Sequence, residues 1–145
     1  MYTRNTHDSE QYNHGITRTF IDDSALAIIR TQGNMSRDAI NTWASLQVLT
    51  MQEWQSKRPI AILNNLSHPQ QGLSPFARKR TQDVIKAIPD GMIVYSAVVL
   101  PKTFMYHIMD MFLRSKIFKK QTLEIQLFQT EQQAIAYLRE QLAKH

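Results

Sequence analysis

The sequence predicts a single domain of the α/β class, in which one mainly parallel sheet is covered by helices in a two-layer or three-layer arrangement. Three observations lead to this prediction. Short apolar runs alternate with segments of helical periodicity, turn or capping residues separate them, and 145 residues are enough for one hydrophobic core. The expected order is β-β-α-β-α-β-α-β-α, so an N-terminal hairpin should leave an antiparallel strand near one edge.

The N-terminal part of the chain predicts a polar leader followed by this hairpin. Residues 1–15 are polar and mixed in charge, and the sequence leaves open whether they are ordered, so the domain is expected over 16–145. Residues 16–21 alternate between apolar and polar side chains, an Asp-Asp-Ser tripeptide supplies a turn, and 25–29 is a short apolar run. The two runs should pair as adjacent antiparallel strands.

The first two predicted helices begin at serines, which can accept hydrogen bonds from the free amides of a first turn. Ser36 precedes a helix that should run to about Lys57. Ser74 opens a second helix that should end near Pro89, and the proline after Ser74 has no amide to leave unpaired. Between these helices, residues 60–63 are apolar enough to form a strand that is buried on both faces.

The C-terminal half predicts two more strands and two more helices. The most β-rich run, 92–100, is expected to be a central strand, and 123–128 a further strand. A methionine-rich helix should occupy about 103–116 between them. Thr130 and Gln133 have the spacing of a capping box, which predicts that the last helix begins there.

Two stretches of the chain resemble bacterial STAS-like proteins, a group of small domains related in fold to anti-sigma-factor antagonists. One runs from the strand at 60–63 into residues 73–79, and the other covers 127–138. The resemblance extends over residues 16–142 and implies a STAS-like fold with a regulatory role rather than an enzymatic activity. The antagonists carry a phosphorylatable serine at the start of a helix, and Ser74 occupies a comparable place, although neither the acidic residue nor the glycine of that motif flanks it.

The start of the Ser74 helix is the first candidate site. Cations in the first turn of a helix oppose its dipole, but together with the free amides they favour a phosphate or carboxylate ligand. The simpler interpretation is a serine cap followed by solvated basic residues, and phosphorylation of Ser74 is a third. The candidate residues for binding a ligand or anion are Asn64, Asn65, His68, Ser74, Arg78 and Lys79.

The methionine-rich helix is the second candidate site. Its apolar side chains cover about half of the helix circumference or more, and one sheet-facing side does not require so many. The extra apolar surface should contact a second copy of the chain, another protein or a hydrophobic ligand, unless neighbouring elements cover it. The candidate interaction residues are Met105, Met109, Phe112 and Leu113.

The sequence predicts no catalytic residue, no metal site and no cofactor. It contains no cysteine, its five histidines lack ligand spacing, and it has no glycine-rich phosphate loop or nucleophile elbow. No signal peptide and no apolar run of about 20 residues is present, so a cytoplasmic protein without a membrane span is expected. Basic clusters favour acidic partners, but they lack a regular pattern of interleaved aromatic residues, which disfavours nucleic acid.

These observations lead to two functional hypotheses. The first is a non-enzymatic regulatory or protein-interaction module that contacts another protein, or a second copy in a homodimer, through the Ser74 region and the methionine-rich helix. The alternative is a binder or carrier of an amphipathic or anionic small molecule, with the methionine-rich helix as an apolar wall.

Overall fold

The structure, a computed structural model, describes residues 9–32, 35–54, 57–67, 74–102 and 122–145. Within these ranges, six strands form one sheet and three α-helices pack on it. The strands are β1 (Ser9–Gln11), β2 (Thr17–Ile21), β3 (Leu26–Arg30), β4 (Ile60–Asn65), β5 (Val94–Val99) and β6 (Leu123–Phe128). The helices are α1 (Arg37–Glu53), α2 (Pro75–Lys86) and α3 (Glu131–Leu142), and a short 3-10 turn covers Asn13–Gly15.

The strands follow one another across the sheet in the same order as in the chain. β1, β2 and β3 pair antiparallel, whereas β3, β4, β5 and β6 pair parallel. The α/β class, the N-terminal hairpin and the mainly parallel pairing are therefore confirmed. The sequence analysis did not predict β1, which lies within the stretch expected to be a polar leader and forms one edge of the sheet.

Each helix begins at the predicted cap. The side-chain oxygens of Ser36, Ser74 and Thr130 accept hydrogen bonds from amides three residues further on, at 3.1, 3.1 and 3.2 Å respectively. The end of α1 differs from the prediction, because the helix stops at Glu53 rather than near Lys57. Trp54 takes an extended conformation there (ψ 106°), and its side chain packs against the core.

Both faces of the sheet are covered, so the domain has three layers. On one face, α1 and α2 pack over a cluster that includes Ile60 and Ile62 of β4. On the other face, Ala61 and Leu63 of the same strand belong to the cluster beneath α3. Successive side chains of a strand point to opposite faces, which explains how one apolar run serves both clusters.

A buried arginine joins the end of α1 to the hairpin. The guanidinium of Arg18 in β2 donates to both carboxylate oxygens of Glu10 in β1, at 3.0 and 3.1 Å, and to the Thr50 hydroxyl at 2.9 Å. It also pairs with Glu53 at 3.0 Å and lies 4.9 Å from the centroid of the Phe20 ring. Because buried charges are tolerated only when they are paired, this cluster fixes β1 and the last turn of α1 in position.

Candidate functional site

The structure separates the two asparagines that were both candidates for an anion site. The side chain of Asn64 faces α1, where its Oδ1 accepts hydrogen bonds from Trp43 and Gln47. The side chain of Asn65 faces α3, where its Nδ2 donates to Glu131 at 2.6 Å. Adjacent residues of β4 necessarily point to opposite faces of the sheet, so the two amides cannot bind the same ligand. His68 lies outside the described residues.

The start of α2 is a capped helix with an exposed basic first turn. The Ser74 hydroxyl is engaged with the Ala77 amide, and Arg78 and Lys79 are exposed. Asp83 accepts hydrogen bonds from Arg80 at 2.9 Å and from Lys79 at 3.2 Å, and these cations, Arg80 first, lower the pKa of Asp83. Arg78 makes no ion pair within the described part of the chain. The serine cap is confirmed, and an anion at this helix start stays a prediction.

Asn64 belongs to a buried cluster of amides at the carboxyl end of β4. Gln47 donates to Asn64 Oδ1 at 2.7 Å, and Asn64 Nδ2 donates back to Gln47 Oε1 at 3.2 Å. The indole nitrogen of Trp43 also donates to Asn64 Oδ1, at 3.0 Å. The Asn64 and Gln47 residues are only 5% and 3% exposed. The reciprocal pairing satisfies polar groups that would otherwise be costly to bury.

This amide cluster borders a cavity of about 110 Å³ between α1, α2 and the strands β4, β5 and β6. Most of the described side chains around it are aliphatic, and the polar exceptions are few. Ligand sites commonly combine an apolar wall with a small number of polar groups that orient the ligand. The described residues that line the cavity include Met51, Ile62, Asn64, Val84, Ile85, Ser96, Val98, Leu123 and Ile125.

A second polar cluster lies on the opposite face, where β3, β4 and α3 meet. Arg30 at the end of β3 binds both oxygens of the Glu131 carboxylate, at 2.7 and 2.9 Å, and Asn65 binds one of them. The hydrogen bond from Arg30 is the main cause of a lowered Glu131 pKa, which burial opposes and Asn65 reinforces. The cluster fastens the start of α3 to the sheet, so the contact of Asn65 is structural.

Between Asp38 and Glu53, the outward side of α1 carries no charge. No charged residue occurs between Asp38 and Glu53, although α1 is exposed along this side. Leu49 is 38% exposed, which is high for a large aliphatic side chain. We define the α1 outer face as the four exposed side chains of Asn41, Ser45, Leu49 and Gln52.

A groove runs along the α1 outer face and reaches α2. Arg80 lines this groove together with Ser45 and Leu49 of α1, so the groove continues towards the basic first turn of α2. The two helix starts also touch, because the Arg37 guanidinium lies 4.6 Å from the centroid of the Phe76 ring. The α1 outer face therefore continues onto α2 at Arg80, which the sequence analysis did not predict.

Four predicted interaction residues, Met105, Met109, Phe112 and Leu113, lie outside the described residues. Among the residues that the structure describes, no three His, Asp or Glu side chains lie close enough together to hold a metal ion. No helix in the described ranges is long and apolar enough to cross a membrane.

The architecture defines this chain as an α/β protein with a six-stranded mixed sheet covered on both faces. Comparison with known proteins adds no relative: no family model matches the sequence, and neither a characterised protein nor a solved structure is similar to it. The resemblance to STAS-like proteins stays a prediction.

Proposed function

We propose that this chain is a non-enzymatic regulatory or protein-interaction module of the STAS-like type that its sequence resembles. The observation that carries the proposal is the charge-free α1 outer face. Charged residues make up 20% of the chain, yet none lies in the 14 residues from 39 to 52. Depletion of charge, more than overall hydrophobicity, distinguishes the centre of a protein interface from the rest of a surface.

The surface also indicates the chemistry of its partner. Its centre offers aliphatic and uncharged polar contacts through Leu49, Ser45 and Gln52, which suit an uncharged segment of another protein. At its α2 end the groove reaches Arg80, and the exposed Arg78 and Lys79 precede Arg80 in the same helix. A carboxylate of the partner placed there would pair with these cations and with the positive end of the α2 dipole. The expected partner is therefore a protein with an uncharged contact segment flanked by acidic residues.

Site-specific crosslinking in the cells that make the protein tests this proposal. A photoreactive phenylalanine analogue replaces Leu49 in one variant and Glu140, an exposed residue of α3, in a matched control. We expect one discrete crosslinked partner from the Leu49 position that the Glu140 position does not capture. A second variant carries the photoreactive residue at position 49 together with Arg78→Glu. Its yield of crosslinked partner should fall several-fold, since the new carboxylate would repel the partner's carboxylates. Equal patterns from both positions would rule the α1 outer face out as a binding surface.

A second candidate function, binding of an amphipathic small molecule, is favoured by the cavity beside Asn64. Its apolar wall could hold the hydrocarbon part of a ligand while the Asn64 and Gln47 amides bind a polar end. A cavity of about 110 Å³ is comparable with engineered apolar cavities that hold benzene, so a small ligand or one end of a longer ligand would fit.

Filling the cavity tests this second function. Ser96, half-buried on the cavity wall, can be replaced by leucine, which would occupy the space without adding a charge. If the cavity binds amphipaths, titration with decanoate should saturate the wild type, and Ser96→Leu should lower the affinity at least tenfold. Lack of saturable decanoate binding by the wild type, or equal binding by both proteins, would argue against a carrier.

A further inference from the structure

The two edges of the sheet differ in how they could accept another strand. β1 forms one edge with three polar residues, and its central Glu10 is held by the buried Arg18. β6 forms the other edge with six residues, Leu-Glu-Ile-Gln-Leu-Phe, and pairs on its outer side with no strand of the described chain. Proteins usually protect a long exposed edge with lysine, proline or a bulge, because unpaired backbone groups attract another strand. β6 contains neither lysine nor proline.

The hydrogen bonds to β5 show which backbone groups of β6 do not bond to that strand. The amide of Val94 donates to Thr122 at 2.8 Å, and the amide of Leu100 donates to Phe128 at 3.0 Å. In a parallel ladder, alternate residues of a strand bond to the same neighbour, so the even-numbered residues of β6 serve β5. The amides and carbonyls of Leu123, Ile125 and Leu127 consequently point away from the sheet.

We propose that this edge pairs antiparallel with β6 of a second copy of the chain, with Ile125 on the two-fold axis. This register places Ile125 opposite Ile125 of the second copy, and Leu123 opposite its Leu127. All three residues with outward amides then form hydrogen-bonded pairs, which gives six backbone hydrogen bonds across the interface. The two sheets would join into one continuous twelve-stranded sheet.

The side chains of β6 favour this self-pairing over other registers. Leu123 and Ile125 line the cavity on the α1 and α2 side, so cross-strand pairs on that face would be aliphatic. On the other face, the exposed Glu124 would lie opposite the exposed Gln126 of the second copy, which can donate a hydrogen bond to it. A shift that put Glu124 on the axis would bring two carboxylates together, which favours the Ile125-centred register over that shift.

This pairing goes beyond the proposed function, because it concerns a different surface: the α1 outer face lies on a helix, whereas β6 is the edge of the sheet. The two surfaces can therefore be tested separately.

Sedimentation equilibrium on the full chain tests the pairing. The wild type should have twice the 16.9 kDa mass of one chain. Gln126→Glu places a carboxylate opposite Glu124 of the other copy at two symmetric positions and should weaken dimerisation roughly tenfold. Gln126→Lys is the matched control at the same exposed position, and it should dimerise at least as tightly as the wild type because the new ammonium faces that carboxylate.

The double variant Glu124→Lys with Gln126→Glu should restore the dimer, since the opposite charges face each other again. Far-ultraviolet circular dichroism confirms that each variant is folded. A monomeric wild type, or a dimer that responds equally to both Gln126 variants, would overturn the β6 pairing while leaving the α1 outer face untouched. Conversely, if dimerisation responds to these charges but Leu49 gives no specific crosslink, the β6 pairing is supported and the α1 outer face is refuted as a binding surface.

Discussion

The helices α1 and α3 lie on opposite faces of the same sheet but use their polar residues in different ways. The charges of α3 bind the sheet and its connections: Glu131 pairs with Arg30, and Arg139 binds both oxygens of Asp22 at 2.8 and 2.9 Å. α1 is held from its inward side, by Asn64 through Gln47 and by Arg18 through Thr50. Its outward side contributes nothing to these contacts.

This difference shows which surface the fold leaves available. An exposed helix usually carries charged residues on its solvent side, as α3 does with Arg139 and Glu140. The stability of α1 depends on the groups beneath it, so Ser45, Leu49 and Gln52 are free to vary without loss of the fold. Their lack of charge is the basis of the proposal that this side of α1 contacts another protein.

The largest effect is expected from replacing Arg18, the buried residue that holds the end of α1 to the hairpin. Arg18→Met keeps most of the apolar volume but removes the guanidinium that binds Glu10, Glu53 and Thr50. Loss of these charge-assisted hydrogen bonds should destabilise the protein by about 3 kcal/mol. Urea unfolding measures this as a lower midpoint. A midpoint close to that of the wild type would show that α1 does not depend on this anchor.

A smaller effect distinguishes the two asparagines of β4. Asn64→Ala removes the acceptor of the Trp43 and Gln47 donors and should cost about 2 kcal/mol. Asn65→Ala removes one bond to a partly exposed carboxylate and one from the exposed Ser67 amide, and should cost about 1 kcal/mol. Thermal unfolding of the two variants compares them directly. Equal losses, or a larger loss for Asn65→Ala, would contradict the assignment of Asn64 to the buried cluster.

Loss of the contact between Glu131 of α3 and Arg30 should have the smallest effect on stability, and that effect should depend on pH. The pKa of Glu131 is lowered in the folded protein, so its stabilising effect is complete above its ordinary pKa of about 4.5 and is lost as the pH falls through the lower, folded-state pKa. Glu131→Gln should lower stability by about 1 kcal/mol at pH 7 and flatten the acid limb of the stability curve. Glu140→Gln, on the exposed side of α3, is the matched control. If the curves of stability against pH for the wild type and Glu131→Gln ran parallel below pH 4.5, the stabilising role of the Glu131 carboxylate would be refuted.

Local signals in the sequence predicted most of the fold. The caps at Ser36, Ser74 and Thr130 are contacts over three residues, and β6 occupies the predicted residues 123–128. β1 could not be predicted in this way. Its polar Ser-Glu-Gln sequence lacks strand periodicity, and its position depends on the bond between Glu10 and Arg18 of the neighbouring strand.

The candidate site was predicted only in part, for a related reason. Asn64 and Asn65 were recognised, but the predicted strand stopped at Leu63, so the alternation that sends them to opposite faces was not applied to them. The partners Arg30 and Glu131 are 101 residues apart, and no local pattern predicts such a contact. The α1 outer face did leave a signal, the absence of charge from 39 to 52, although it became interpretable only once the exposed side of α1 was known.

The role of the α1 outer face in binding is tested most directly with the partner protein that the Leu49 crosslink captures. Its dissociation constant is measured with two variants of this chain, Leu49→Arg and Glu140→Arg. Both residues are exposed, so each variant should keep its unfolding free energy within about 0.5 kcal/mol of the wild type. We expect Leu49→Arg to raise the dissociation constant at least tenfold and Glu140→Arg to leave it within about twofold of the wild-type value. An unchanged dissociation constant for Leu49→Arg would contradict the proposed binding role of the α1 outer face.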